Sequence, residues 1–150
     1  MQNSFFPVLF LALLGTVYSY SQDIVINEFQ ASNSITLTDP DFDLYSDWIE
    51  FYNAGTEAVD LEGWSLTDNL EDTVKWRFPG GVSIHPGEFL LVWADGRDLQ
   101  QTSLHTNFKL SITGEMIVLF DPVKILVDSV SYGQQMQDIS YGRQPDGSME

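Results

Sequence analysis

The sequence predicts an all-β sandwich, and three observations carry that prediction. Short apolar runs recur along the chain between clusters of Gly, Pro, Asn and Asp, no convincing helical period follows the N-terminal segment, and the tryptophans are distributed one to a run. Eight or nine short strands are expected. The stretch from Gly63 to Gly96 organises the rest. In Gly63–Thr67, Trp64 and Leu66 alternate with Ser65 and Thr67, and in Lys75–Phe78, Trp76 and Phe78 alternate with Lys75 and Arg77. Both patterns predict strands with one dry face. Phe89–Ala94 is apolar throughout and is bounded by Pro86-Gly87 and Asp95-Gly96, so it is expected to be the central strand, covered on both faces.

In chain order, Asp23–Gln30 reads as a strand near a sheet edge, and Ala31–Ser46 as a long acidic surface loop. Asp47–Asn53 is the second strand, with Trp48 and Tyr52 on one face and Ile49 and Phe51 on the other. Val59–Leu61 is a short strand, and Asp68–Thr73 a polar excursion between two strands. Pro79-Gly80-Gly81 ends the run at Phe78, because proline lacks a ladder donor and glycine admits positive φ. Val82–Ile84 leads to a turn at His85-Pro86-Gly87. Gly96–Ser103 is a loop, Leu104–Ile112 has no clear period, and Glu115–Phe120 and Ile125–Tyr132 are strands on either side of Asp121-Pro122. Ser140–Arg143 is a last short strand.

The ordered words DWIEFYN, GW, WRFP, IHPGEFLLVWADG and GEMIVLF give the chain a family likeness. It resembles the lamin-tail domain, an immunoglobulin-like β-sandwich found in nuclear lamins and in many bacterial secreted proteins, over roughly Ile24 to Gly147. The resemblance implies a non-catalytic interaction module. The chain stops just after Asp146-Gly147, where the resembled family usually continues with another aromatic residue and a Pro-Thr-Pro-Gly-like ending. It is therefore expected to be a fragment or the first part of a longer protein.

Composition narrows the function further. A chain of 150 residues is a single domain of ordinary size, and 43% hydrophobic with 13% aromatic residues is too apolar for a disordered polymer. Its 22 acidic side chains against 6 Lys and Arg give a net charge of −16, a field that repels nucleic acid and anionic membranes. With no cysteine, neither disulfides nor thiolate metal sites exist. Phe5–Val17 is uncharged and apolar, and Ser19 and Ser21 follow in the small-x-small spacing of a signal-peptidase site. Residues 1–21 are thus expected to be a secretory signal peptide and residues 22–150 the exported domain, secreted or at the cell surface, with no membrane span in the mature chain.

One acidic constellation stands out. Counting from Asp39, oxygen-bearing residues fall at positions 1, 3, 5, 9 and 12, namely Asp39, Asp41, Asp43, Asp47 and Glu50, with the Tyr45 carbonyl at position 7. That is the ligand spacing of an EF-hand loop, although Leu44 stands where the sharp turn needs glycine and a strand follows instead of a helix. Two readings stay open: a weak calcium site of the kind extracellular modules carry, and a solvated acidic loop. Asp68, Glu71 and Asp72 form a second, sparser cluster.

Catalytic signals are thin. His85 lies in a turn and His105 in a polar stretch, with no HExxH, GxSxG or phosphate-cradling loop beside either. A grouping of Ser103, His105 and an aspartate can be written down but has no positional signal. Trp48, Trp64, Trp76 and Trp93 read as sheet packing, the competing reading being a sugar-stacking platform. The expected function is an exported, non-enzymatic module contacting a protein or cell-surface polysaccharide, or docking a neighbouring domain. The alternative is an accessory domain at the front of a longer secreted enzyme, a hydrolase or a spore-coat-type kinase. Nothing in the sequence fixes the oligomeric state.

Overall fold

The structure is a computed structural model that describes residues 23–148. The expected signal segment, residues 1–21, lies outside the described residues. Within them the chain forms β1 (Ile24–Gln30), β2 (Thr38–Asp39), β3 (Leu44–Tyr45), β4 (Trp48–Asn53), β5 (Val59–Asp60), β6 (Ser65–Thr67) and β7 (Trp76–Arg77). There follow β8 (Ser83–Ile84), β9 (Phe89–Trp93), β10 (Leu104–His105), β11 (Glu115–Phe120), β12 (Leu126–Tyr132) and β13 (Tyr141–Gly142), with no helix.

Two sheets make the sandwich, one ordered β10-β9-β4-β1-β13 and the other β12-β11-β6-β7, with two-stranded ladders β2-β3 and β5-β8 beside them. The core lies between the sheets. Ile24, Ile26 and Phe29 of β1 and Ile49 and Phe51 of β4 face Leu66 of β6 and Ile117 and Leu119 of β11. Strand alternation places these side chains on inner faces, and burying each stabilises the fold by about 1.5–3 kcal/mol before conformational entropy is charged against it. Phe78 bridges the layers, packing edge-on against Phe51 at 5.5 Å and against Trp76 at 4.8 Å.

All four tryptophans are buried, so core packing, not a sugar platform, accounts for them. They occupy two compartments. Trp64 and Trp76 belong to the core between the sheets, whereas Trp48 and Trp93 pair across the other face of the larger sheet and fall outside that cluster. That outer face is dry at its Trp48–Trp93 end, over which the segment 31–46 folds back. Leu37, Thr38 and Pro40 line a hollow with Leu91, Trp93 and Leu104, and Gln30 Oε1 accepts bonds from Thr36 Oγ1 at 2.8 Å and Trp48 Nε1 at 3.0 Å.

β1 lies one strand in from the edge, between β4 and the short β13, as expected of a strand near a sheet edge, and three other sequence expectations are corrected. A bulge between Ile26 and Glu28 turns Asn27 towards the C-terminal residues, where its carbonyl accepts from the Arg143 amide at 2.8 Å. Phe89–Ala94 is not the centre of its sheet, since only β10 lies beyond it, and it is covered on both faces only towards its C-terminal end. Phe89 is 47% exposed because the covering segment reaches Trp93 and stops short of it. Ala31–Ser46 is no plain surface loop: it contains the β2-β3 hairpin and buries Asp39 completely. Finally, β6 is dry on both faces. Ser65 and Thr67 are buried because their hydroxyls are satisfied by the carbonyls of Thr73 at 2.8 Å and Asn69 at 2.9 Å in the polar excursion.

Candidate functional site

The outer face of the larger sheet ends in a row set by register. Gln30 pairs with Trp48, Trp48 with Trp93, and Trp93 with His105 across the parallel β9-β10 pair. Partners in register share a face. His105 therefore lies under the segment 31–46, and it is wholly buried. Its backbone is fixed by His105 N donating to Leu99 O at 3.0 Å and Thr106 N to Trp93 O at 2.8 Å.

The β2-β3 hairpin brings two carboxylates to that ring. Its tip is tight: the Asp43 amide donates to Asp39 O at 2.9 Å, Asp43 adopts φ of 55°, and the Asp41 amide donates to Asp39 Oδ1 at 2.9 Å. Such side-chain-to-backbone turns are a habit of aspartate. Asp41 Oδ2 lies 3.1 Å from His105 Nε2 and accepts from the Ser103 amide at 2.8 Å. Asp39 Oδ2 lies 3.8 Å from His105 Nδ1 and, though buried, has no hydrogen-bond partner. The third carboxylate comes from the end of β9, with Asp95 Oδ2 2.9 Å from Nδ1. Asp95 is also held by Arg97, whose guanidinium stacks 4.2 Å from the centroid of Phe42, and Phe42 in turn packs edge-on against His105 at 5.3 Å.

Charge decides what this arrangement can do. Burial works against ionisation of Asp41, yet bonds from His105, the Ser103 amide and Thr102 hold its carboxyl below the usual carboxylate range. Both ring nitrogens of His105 face carboxylate oxygens, so neither is turned towards an open cleft. Ser103 contributes its backbone amide to Asp41, so the Ser103, His105 and aspartate grouping is a positioning contact and not a nucleophile with its base. What the cluster can do is hold a cation. One donor atom each from Asp39, Asp41 and His105 lies within 4.8 Å of the others, the group of this kind among the described residues.

The five acidic positions read from the sequence thus divide. Asp39 and Asp41 converge with His105, whereas Asp43, Asp47 and Glu50 do not join them. Asp43 is exposed at the hairpin tip. Asp47 accepts from the Asn33 amide at 3.2 Å, and burial pushes its carboxyl up to about 6. Glu50 sits in the middle of β4 and accepts from Asn27 Nδ2 at 3.1 Å, its carboxyl raised by burial and by its acidic neighbours. Strand pairing of β4 is what pulls it away. In the second cluster, Asp68 meets Lys75 at 2.6 Å and Asp72 caps the Val74 amide, a turn held by its own side chains. His85 is an exposed turn residue, as expected.

His105 and Asp95 as members of the site were missed. Asp41 and His105 are 64 residues apart, and no local spacing joins them.

Two packed, antiparallel-rich sheets with the hydrophobic core between them define the molecule as an immunoglobulin-like β-sandwich module. The Lamin Tail Domain family profile matches residues 18–134, most of the chain, and the protein belongs to that family. No curated protein matches it.

Proposed function

We propose that this domain is an exported, non-catalytic interaction module that binds a protein partner or a neighbouring domain through the segment 31–46. One observation carries the reading. Ile35, Leu37, Leu44 and Tyr45 are exposed on this segment although its backbone is locked from beneath. Asn33 Nδ2 donates to Leu37 O at 2.6 Å and Ser46 O at 2.9 Å, while Asp138 accepts from the Ser34 amide at 2.6 Å and the Ile35 amide at 3.1 Å. Large apolar side chains on a preorganised loop contribute to binding without the usual ordering cost.

The other side chains of the domain favour the same reading. The tryptophans that could stack on sugars are buried, so a protein surface fits the exposed aliphatic groups better than a polysaccharide. The net charge of −16 favours a partner with a basic rim. The test is cross-linking of the purified domain, in parallel with an Ile35→Asp, Leu44→Asp variant, to envelope proteins of the cells that export it. A specific cross-linked partner, lost in the variant at unchanged melting temperature, is expected. Equal capture by both proteins, or turnover of substrates on glycan and ester panels, would overturn the reading.

A further inference from the structure

We propose that Asp39, Asp41 and His105 form a binding site for one divalent transition metal of the zinc class, with Asp95 orienting the imidazole. This goes beyond the interaction reading and does not depend on it.

The orphaned oxygen is the first argument. Asp39 is fully buried, and while its Oδ1 takes the Asp41 amide, its Oδ2 has no donor. A buried carboxylate oxygen without a donor is costly and rare, and this one points into a group that already holds an imidazole and a second carboxylate. Charge is the second. The carboxylates of Asp39, Asp41 and Asp95 converge on one imidazole, and the Arg97 guanidinium pairs with Asp95. A divalent ion would offset that concentration of acidic groups.

Geometry supplies the third argument. Two donors bound to one ion at about 2.0–2.1 Å stand about 2.9–3.4 Å apart, and Asp41 Oδ2 and His105 Nε2 are 3.1 Å apart. The other ring nitrogen, Nδ1, lies 2.9 Å from Asp95 Oδ2, the carboxylate–histidine pairing that fixes the tautomer of metal-binding histidines. Asp39 Oδ2 stands 3.8 Å from Nδ1, the ring nitrogen that Asp41 does not meet, so the two-residue strand that carries it at the base of the short hairpin has to shift for it to close on an ion at Nε2. The mixed nitrogen and oxygen donors also decide which metal. Calcium takes six to eight oxygens, and Asp43, Asp47 and Glu50, which would have supplied them, are engaged or exposed elsewhere. An imidazole with two carboxylates suits zinc and its neighbours.

The experiment strips the purified protein with a chelator and titrates it with Zn2+, Co2+ and Ca2+ by calorimetry, thermal melting and absorption. Zn2+ is expected to bind one-to-one and to raise Tm by about 5–10 °C at about 100-fold excess over Kd. Co2+ is expected to develop visible d–d bands, and Ca2+ to leave the melt unchanged. Asp39→Asn and His105→Gln lose both metal effects, and Asp43→Asn keeps them. Asp39→Asn is isosteric and removes a buried charge, so its metal-free melt should match or exceed the parent's, which shows that it folds. The inference is overturned if Zn2+ gives no saturable binding, if binding survives in Asp39→Asn and His105→Gln, or if Ca2+ stabilises more than Zn2+. The cluster is then a salt-bridged histidine and nothing more.

Discussion

Arg143 grips Asp128 through both carboxylate oxygens, each 3.0 Å from Nη2, and the same carboxylate accepts the Ile26 amide at 2.7 Å. Asp128 belongs to the smaller sheet and Ile26 to the larger, so one side chain ties the two layers together. Arg143 completes the tie with Nε donating to Ile26 O at 2.9 Å. We expect Arg143→Ala to destabilise the domain by about 2–4 kcal/mol, because it leaves a largely buried aspartate without its counter-charge. Lysine has a single nitrogen and cannot meet Asp128 as Nη2 does while also donating to Ile26 O as Nε does, so it should recover only part of that loss. Urea melts of the three proteins check both statements.

The outer compartment makes a contrast between two residues of one strand. Trp93 is 2% exposed and Phe89 is 47% exposed. Trp93→Ala is expected to cost about 3–5 kcal/mol and Phe89→Ala about 1 kcal/mol or less. Similar losses at both positions would mean that the segment 31–46 does not shelter the Trp93 end of β9.

Asp47 gives a pH dependence with a definite sign. Its carboxyl is raised from 3.8 to about 6 by burial, against the Asn33 amide bond and Lys109, which lower it. A raised folded-state value means that ionised Asp47 opposes folding above that value, and the penalty fades as pH falls from about 6 towards 4. Asp47→Asn, which can still accept the Asn33 amide, should therefore raise Tm at pH 7 and not at pH 4. Allowing for the partial exposure of the group, the gain should be about 1 kcal/mol. A gain of equal size at both pH values would contradict this account.

At the foot of the presented loop, Asp138 accepts from the Ser34 hydroxyl at 2.7 Å as well as from two amides, and these bonds hold its carboxyl below the usual range. Asp138→Ala should speed amide hydrogen exchange at Ser34 and Ile35 and leave exchange in β11 unchanged. The site is local, so uniform acceleration would argue against it.

Much of this architecture was legible from residue patterns. Ile49 and Phe51 face the core and Trp48 and Tyr52 the other side, as their alternation requires, and Trp76 and Phe78 are dry while Arg77 is exposed. Local period reports which side chains share a face. It does not report what covers that face, and the errors fall there. Phe89 is as apolar as Trp93, yet a hairpin that begins fifty residues earlier decides which of them meets water. The candidate site divides in the same way. Asp39 and Asp41 stood out through their short-range spacing, while His105 and Asp95 join them only through the register of β4, β9 and β10. Glu50 completed the spacing on paper, but the pairing of β4 with β1 and β9 commits it to the sheet.

Trp93 lies beneath the segment 31–46, and Trp48 is joined to that segment through Gln30 and Thr36, which gives the molecule an optical gauge of its own. Lifting that flap would wet both indoles and shift their emission to the red, while Trp64 and Trp76, which belong to the core between the sheets and do not touch the flap's hollow, would keep their colour. Seating of the flap can thus be followed in solution without any label.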